Sequence, residues 1–305
     1  MRAGSSTIIY RRRFLILAPK QNSNRARLTL RQRAATLLVS ASHYIWFDIS
    51  VLAFGEGPCR QVLAERKALT RSRKTLPTLP QILIFDVDGV LVDVRRSYWL
   101  SALETMRFLT GKRVSWAELY KWKSKPGNND DWNLVSHWAT ALGRPTSYEE
   151  ARVAFQQFYW GKNGKSGNVR KEKLVITPRQ IERWAGRFEL NLFTGRTRQE
   201  FSHSFDGWPA TRSFKTVITM DDVKRKKPHP EGLLKILGRR DPGTALYVGD
   251  NVDDALAARD ASVPFMAILP AGTFEYRKRA ARFRELGALA LLPGIHALND
   301  WLPSG

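Results

Sequence analysis

The segment QILIFDVDGVLVD, residues 81–93, runs an apolar stretch straight into Asp86 and Asp88, with Asp93 closing the segment. Two acids spaced by two residues point the same way along an extended backbone. Like charges crowded at the end of a buried strand make each other costly to ionise, and a cation that joins them removes that cost. Hard divalent cations take oxygen ligands, and magnesium suits a site with few carboxylates plus a phosphate. The chemistry suggested is metal-assisted work on a phosphoryl group.

Three later stretches carry their polar residues in similar positions. LNLFTGR (190–196) ends an apolar run in Thr194, Gly195 and Arg196. KKPHP (226–230) sets lysines before a helical stretch, and Lys224, Lys226 and Lys227 compete for one role. Lys227, directly before the proline, is preferred. ALYVGDNVDDALAAR (245–259) ends an apolar run in Gly249 and Asp250, with Asp254 opening a helix and Asp253 as its rival. Taken singly, each residue has a plain structural explanation. Thr194 and Gly195 suit a turn or helix cap, Lys227 a solvated charge run, and Asp250 and Asp254 the acids favoured at a helix N-terminus. The ordered set of four outweighs these explanations.

In this order the four stretches resemble the motifs of the haloacid dehalogenase superfamily of phosphohydrolases, subfamily I with a helical cap, in an uncharacterised group related to phosphoglycolate phosphatase-like enzymes. The resemblance implies that Asp86 is the nucleophile, forming an aspartyl-phosphate, and that Asp88 is the acid and base that marks phosphatases. It implies that Thr194 and Lys227 stabilise the transferring oxygens, beside Gly195 and Arg196. It also implies a magnesium site drawn from Asp86, Asp88 (through a backbone carbonyl near it), Asp250 and Asp254, with Asp254 orienting the metal's waters or Lys227. The expected substrate is a small-molecule phosphate ester, and the motifs do not separate a phosphatase from a phosphomutase of the same fold.

Strand-like stretches at 81–85, 190–193, 214–222, 245–249, 264–269 and 288–293, alternating with helical stretches, predict an α/β fold: a Rossmann-like core with a parallel sheet. Ligands of such sheets bind outside the carboxyl ends of the strands, where the acids would sit. The core is expected over 81–93 and 190–305. Residues 94–189 exceed what a crossover needs and predict an inserted helical cap, with a capping box at Ser115 and Glu118 and a second helix start at Ser147. Within it, KWKSKPGNNDDWN (121–133) makes Lys125, Asn128 and Asn129 candidates for substrate binding. GKNGKSGNVRK (161–171) lacks the spacing of a nucleotide-binding loop and reads as a flexible connection.

Residues 1–80 hold 15 Lys and Arg against 3 acids, in a chain of 305 residues with net charge +22. They predict a poorly ordered basic extension. The span 35–54 is about long enough for a membrane helix, but Asp48 and His43 lie inside it, and a central Asp costs roughly 2.5–3.5 kcal/mol on insertion. An Arg- and Ser-rich, acid-poor composition also fits an organelle-targeting leader, and that alternative stands. One cysteine, Cys59, excludes an internal disulfide and a Cys-rich zinc site. A cytoplasmic location is expected. Basic charge alone selects no partner. No sequence signature of specific nucleic-acid binding is present, so a nucleic-acid- or membrane-associated protein with a non-catalytic core is the reading from another class.

Overall fold

The computed structural model describes residues 76, 78–164 and 166–303. By internal contacts the chain divides into 1–71 and 72–305. The expectations for the basic extension fall outside the described residues, as does Lys165. No helix among the described residues is long and apolar enough to cross a membrane.

The chain opens with strand β1 (Ile82–Phe85) and, after a tight turn, the short strand β2 (Val92–Asp93). Four helices follow: α1 (Tyr98–Thr110), α2 (Trp116–Lys123), α3 (Asp131–Ala141) and α4 (Tyr148–Trp160). Strand β3 (Lys173–Leu174) returns antiparallel to β2. Strands and helices then alternate as α5 (Pro178–Ala185), β4 (Glu189–Phe193), α6 (Arg198–Phe205), β5 (Phe214–Ile218), α7 (Glu231–Leu237), β6 (Ala245–Gly249), α8 (Val252–Asp260), β7 (Phe265–Ile268), α9 (Tyr276–Glu285) and β8 (Ala290–Leu292).

Six strands form one sheet in the order β5-β4-β1-β6-β7-β8, and every neighbouring pair is parallel. Strand β1 lies between β4 and β6, with Phe85 level with Leu192 on one side and Val248 on the other. All four β1 side chains are buried, and they divide by parity. Leu83 and Phe85 join the core that continues into the cap helices. Ile82 and Ile84 join the core under α7, α8 and α9. This is why β1 reads as a continuous apolar run: both faces are covered. The strand order turns back between β1 and β6, the position where open α/β sheets leave a crevice. Asp86 and Asp250 directly follow those two strands.

Helices α1, α3 and α4 pack around Met106, Leu134, Trp138, Phe155 and Tyr159, all buried. Their ends follow local rules. Gly111 closes α1 in the left-handed conformation, φ 68°, Ser115 and Glu118 form the expected capping box on α2, and Ser147 caps α4.

Three expectations for this region change. Helix α5 was assigned to the cap, yet Trp184 stacks on Phe85 at 5.4 Å, so it covers the sheet and the layer beneath the strands begins near Pro178. The loop expected over 121–133 is shorter, because Asp130 accepts hydrogen bonds from the N–H groups of Trp132 and Asn133 and starts α3. The connection 161–171 contains two 3-10 turns, and Asn168 anchors it by donating to Ser101 Oγ (3.1 Å) and Glu104 Oε2 (2.6 Å).

Candidate active site

Pairing with β6 continues one residue past β1, where the Asp86 N–H donates to Val248 O at 2.9 Å. That fixes Asp86 beside the end of β6. Ligand oxygens of Asp86, Asp250 and Asp254 all lie within 4.8 Å of one another. Lys227 Nζ sits 2.9 Å from Asp86 Oδ1 and 2.7 Å from Asp254 Oδ1, against the rings of Phe193 and Tyr247. Of the three candidate lysines, Lys227 is the one whose ammonium reaches Asp86. Lys226 instead reaches Asp130 Oδ2 at 3.0 Å.

Asp250 and Asp254, four residues apart in the sequence motif, differ in their partners. Asp254 is saturated: Oδ1 accepts from the Tyr247 hydroxyl (2.7 Å) besides Lys227, and Oδ2 accepts the N–H groups of Asp250 (3.2 Å) and Asn251 (3.0 Å). The Asp250 carboxylate has no ion-pair partner among the described residues. Gly89, at φ 76°, lies so close that a Cβ there would fall 2.1 Å from Asp250 Oδ2, so the glycine of the first motif is a steric requirement of the acid cluster.

Three carboxylates face one ammonium, and the electrostatics reflect the deficit. Burial pushes Asp86 well above the usual carboxylate range, and neighbouring acids add to this against the pull of Lys227. Burial and the Asp254 charge raise Asp250 to about 7. For Lys227 burial works against the charged form, but Asp254 and Asp86 outweigh it and leave the ammonium above its ordinary range. A hard cation between Asp86 and Asp250 would supply the missing charge, and an all-oxygen donor set fits magnesium.

A pH dependence follows. Asp250 must lose its proton to bind a cation, so below about pH 7 each unit should lower apparent magnesium affinity by up to tenfold. Because its folded value is raised, the metal-free chain loses the associated stability as pH climbs through about 7. The rise in melting temperature on adding magnesium should therefore be larger at pH 8 than at pH 6. Equal shifts at both values would contradict this.

Asp88 stands apart from the acid cluster. Its Oδ1 accepts from Arg196 Nε at 2.9 Å and Nη2 at 2.6 Å. The Arg196 side chain is fully buried. Its Nη1 donates to Glu172 Oε2 (3.0 Å) and Ser204 Oγ (2.7 Å), while Tyr159 donates to Glu172 Oε1 (2.9 Å). The expectation that Arg196 touches substrate is corrected: its donors are committed beneath Asp88, and it holds that side chain from behind.

Thr194 is buried, and its Oγ1 accepts the Arg196 N–H at 3.1 Å. With Gly195, Lys227 and Asn129 it lines one small cavity. Asn129 reaches in from the cap, close enough that a Cβ on Gly195 would come within 3.1 Å of its Nδ2. The other two cap candidates do not line the crevice. Asn128 turns inward, donating to Trp122 O (3.0 Å) and meeting His137 Nδ1 (3.2 Å). Lys125 lies over the Trp122 ring, 3.2 Å from its centre.

The family model described as haloacid dehalogenase-like hydrolase matches residues 184–268, the region that carries the second, third and fourth motifs. That part of the chain is similar to haloacid dehalogenase-like hydrolases. Imidazoleglycerol-phosphate dehydratase of Phytophthora nicotianae is 28% identical over 243 residues, covering 73% of this chain and 53% of the relative. The chain thus spans about half the length of that relative. Phosphoglycolate phosphatase of Salmonella typhimurium is 28% identical over 203 residues, 65% of this chain and 71% of the relative. Pyrophosphatase PpaX of Bacillus cereus is 24% identical over 188 residues, 61% and 82%. The fold is shared with a phosphonoacetaldehyde hydrolase-like protein from Oleispira antarctica, with TM-score 0.56, 14% identity, and coverage of 73% of this chain and 91% of that one.

The hold of the core on the cap loop was not foreseen from sequence. Asp253, one residue from Asp254, points the other way around α8 and accepts the N–H groups of Gly127 (2.8 Å) and Asn129 (3.0 Å). It fastens the loop that delivers Asn129. Hydrogen bonds to a charged acceptor contribute about 1.5–3 kcal/mol each. Asp253→Ala should therefore raise KM for a phosphate ester about tenfold or more, with kcat less affected. An unchanged KM in the folded variant would remove the fastening role.

Proposed function

We propose that the chain is a magnesium-dependent phosphatase that hydrolyses a small-molecule phosphate monoester through an aspartyl-phosphate on Asp86. The observation that carries this reading is the cluster of three carboxylates at the turn-back of the sheet, two of them buried and paired with one lysine. In the reading, an Asp86 carboxylate oxygen attacks phosphorus, the bond to the ester oxygen breaks, and Asp88 gives that oxygen a proton. Asp88 then takes a proton from the water that attacks the phospho-aspartate, which restores both residues.

Magnesium bound by Asp86 and Asp250, with a backbone carbonyl near Asp88, would screen the repulsion between carboxylate and phosphate. Lys227 and the Thr194 hydroxyl balance charge on the transferring oxygens. Asp254, filled by its own partners, keeps Lys227 aimed at them. Arg196 positions Asp88, and the cap loop with Asn129 closes the crevice against bulk water.

The deciding measurement is phosphate release by the purified full chain from an ester whose leaving group carries no charged substituent, such as phenyl phosphate, with and without magnesium. Release of phosphate matched by phenol, lost on chelation and restored by magnesium, is expected. Transfer of phosphate between hydroxyls of a sugar phosphate with little free phosphate would instead mark a mutase.

A further inference from the structure

A second, larger cavity of about 440 Å³ opens beside the crevice, against about 40 Å³ for the crevice itself. Val94, Trp99, Asp250 and Arg279 line both, so the two meet at the candidate metal site. The larger space is bounded by the turn after β1, by α1 and α2 of the cap, and by the loops after β7 and β8. Its cap wall is aromatic: Trp99 meets Tyr120 edge-on at 5.1 Å.

The charged groups of this cleft are accounted for except one. Asp93 and Arg95 pair with each other at 2.6 Å, Asp250 belongs to the acid cluster, and His296 Nδ1 meets Gln180 Oε1 at 2.7 Å. Arg279 has no ion pair among the described residues. Its Nη2 donates to the backbone oxygen of Asp250 (3.1 Å), while its Nε is buried with no hydrogen-bond partner. A guanidinium anchored on one edge and unsatisfied on the other, at the mouth of a mainly apolar cleft, is costly to keep unless a ligand completes it.

We infer that this cleft receives the leaving group of the ester. That group carries an anionic oxygen group of its own, a carboxylate or second phosphate, bound by Arg279, and an apolar or aromatic body that lies against Trp99 and Tyr120. The substrate is then a phosphate ester of a sizeable organic anion, larger than glycolate. The inference rests on the hydrolase reading of the crevice.

The test uses matched esters, phenyl phosphate and 4-carboxyphenyl phosphate, with the full chain and magnesium. Wild type should show a kcat/KM ratio favouring the carboxylated ester by about tenfold or more, the effect of one charge-assisted hydrogen-bonded contact. Arg279→Ala should bring the ratio to near one, and Arg279→Lys should leave it in between. Arg282→Ala, exposed on the same helix and paired with Glu285, should leave the ratio at the wild-type value. Wild-type preference for 2-phosphoglycolate over the carboxylated aryl ester would remove the apolar body from the inference. A ratio that Arg279→Ala does not change, or an equal loss on both esters, would overturn it, since the arginine would then serve only the Asp250 loop. If folded wild type cleaves neither ester, the hydrolase reading itself fails and takes this inference with it.

Discussion

Asp86→Asn should abolish phosphate release, a loss of about 10⁴-fold or more on the scale seen when an enzyme nucleophile is removed, while the protein stays folded. An amide has no anionic oxygen with which to attack phosphorus. It also withdraws one of the two carboxylates available to a cation, since Asp254 is already filled by Lys227, Tyr247 and two backbone N–H groups. The effect on folding runs the other way. Burial raises Asp86 well above the usual carboxylate range, so at neutral pH its ionised form opposes folding, and the neutral amide relieves that opposition. The metal-free variant should melt no lower than metal-free wild type, and magnesium should no longer raise its melting temperature.

Asp88→Asn separates the two roles. It should also stop turnover, because the leaving oxygen has no proton donor, yet keep the stabilisation by magnesium. Phosphate release and melting curves with and without magnesium check both variants. Turnover in Asp86→Asn above a few percent of wild type would end the nucleophile assignment. Loss of magnesium stabilisation in Asp88→Asn would place that side chain in the metal site.

The placement of polar residues at the strand ends was legible because it is local. In QILIFDVDG an apolar run announces a doubly covered strand, and the polar residue immediately after it can only emerge at the strand's carboxyl end. The same holds for Thr194 after β4 and Asp250 after β6. The lysine needed one more cue, its proline neighbour. What stayed hidden is the direction a side chain takes once helices pack. Arg196 and Gly195 are adjacent in the motif, but Gly195 faces Asn129 whereas Arg196 dives under Asp88 toward Glu172, a residue that carries no motif at all. Asn128 and Asn129 look equivalent in NND, and the backbone sends one to His137 and the other to the crevice. Asp253 and Asp254 are separated by the rotation between consecutive helix positions, which directs one to the cap and the other to Lys227. The cap boundary was misplaced for a related reason: α5 is amphipathic wherever it lies, and only the stacking of Trp184 on Phe85 assigns it to the sheet.

Arg196→Ala should give the largest loss of stability of any single change in the site. The guanidinium is fully buried and stands between Asp88 and Glu172, whose side chains are 26% and 8% exposed. Removing one partner of a buried ion pair costs about 3–5 kcal/mol, because the remaining charge is left without compensation. For a folded unit of this size that corresponds to a drop of roughly 6–20 °C in melting temperature. Arg196→Lys separates position from charge. A lysine restores one positive charge but not the two N–H bonds that converge on Asp88 Oδ1. Much of the stability should therefore return while kcat stays depressed, about tenfold or more, with KM little changed, since the substrate is not what the arginine touches. Adding Glu172→Gln to Arg196→Ala should recover part of the lost melting temperature without recovering turnover, because it removes the orphaned charge but not the misplacement of Asp88. If Arg196→Lys instead raised KM and left kcat intact, the side chain would be a substrate contact after all, and the buried relay would have to rearrange on binding.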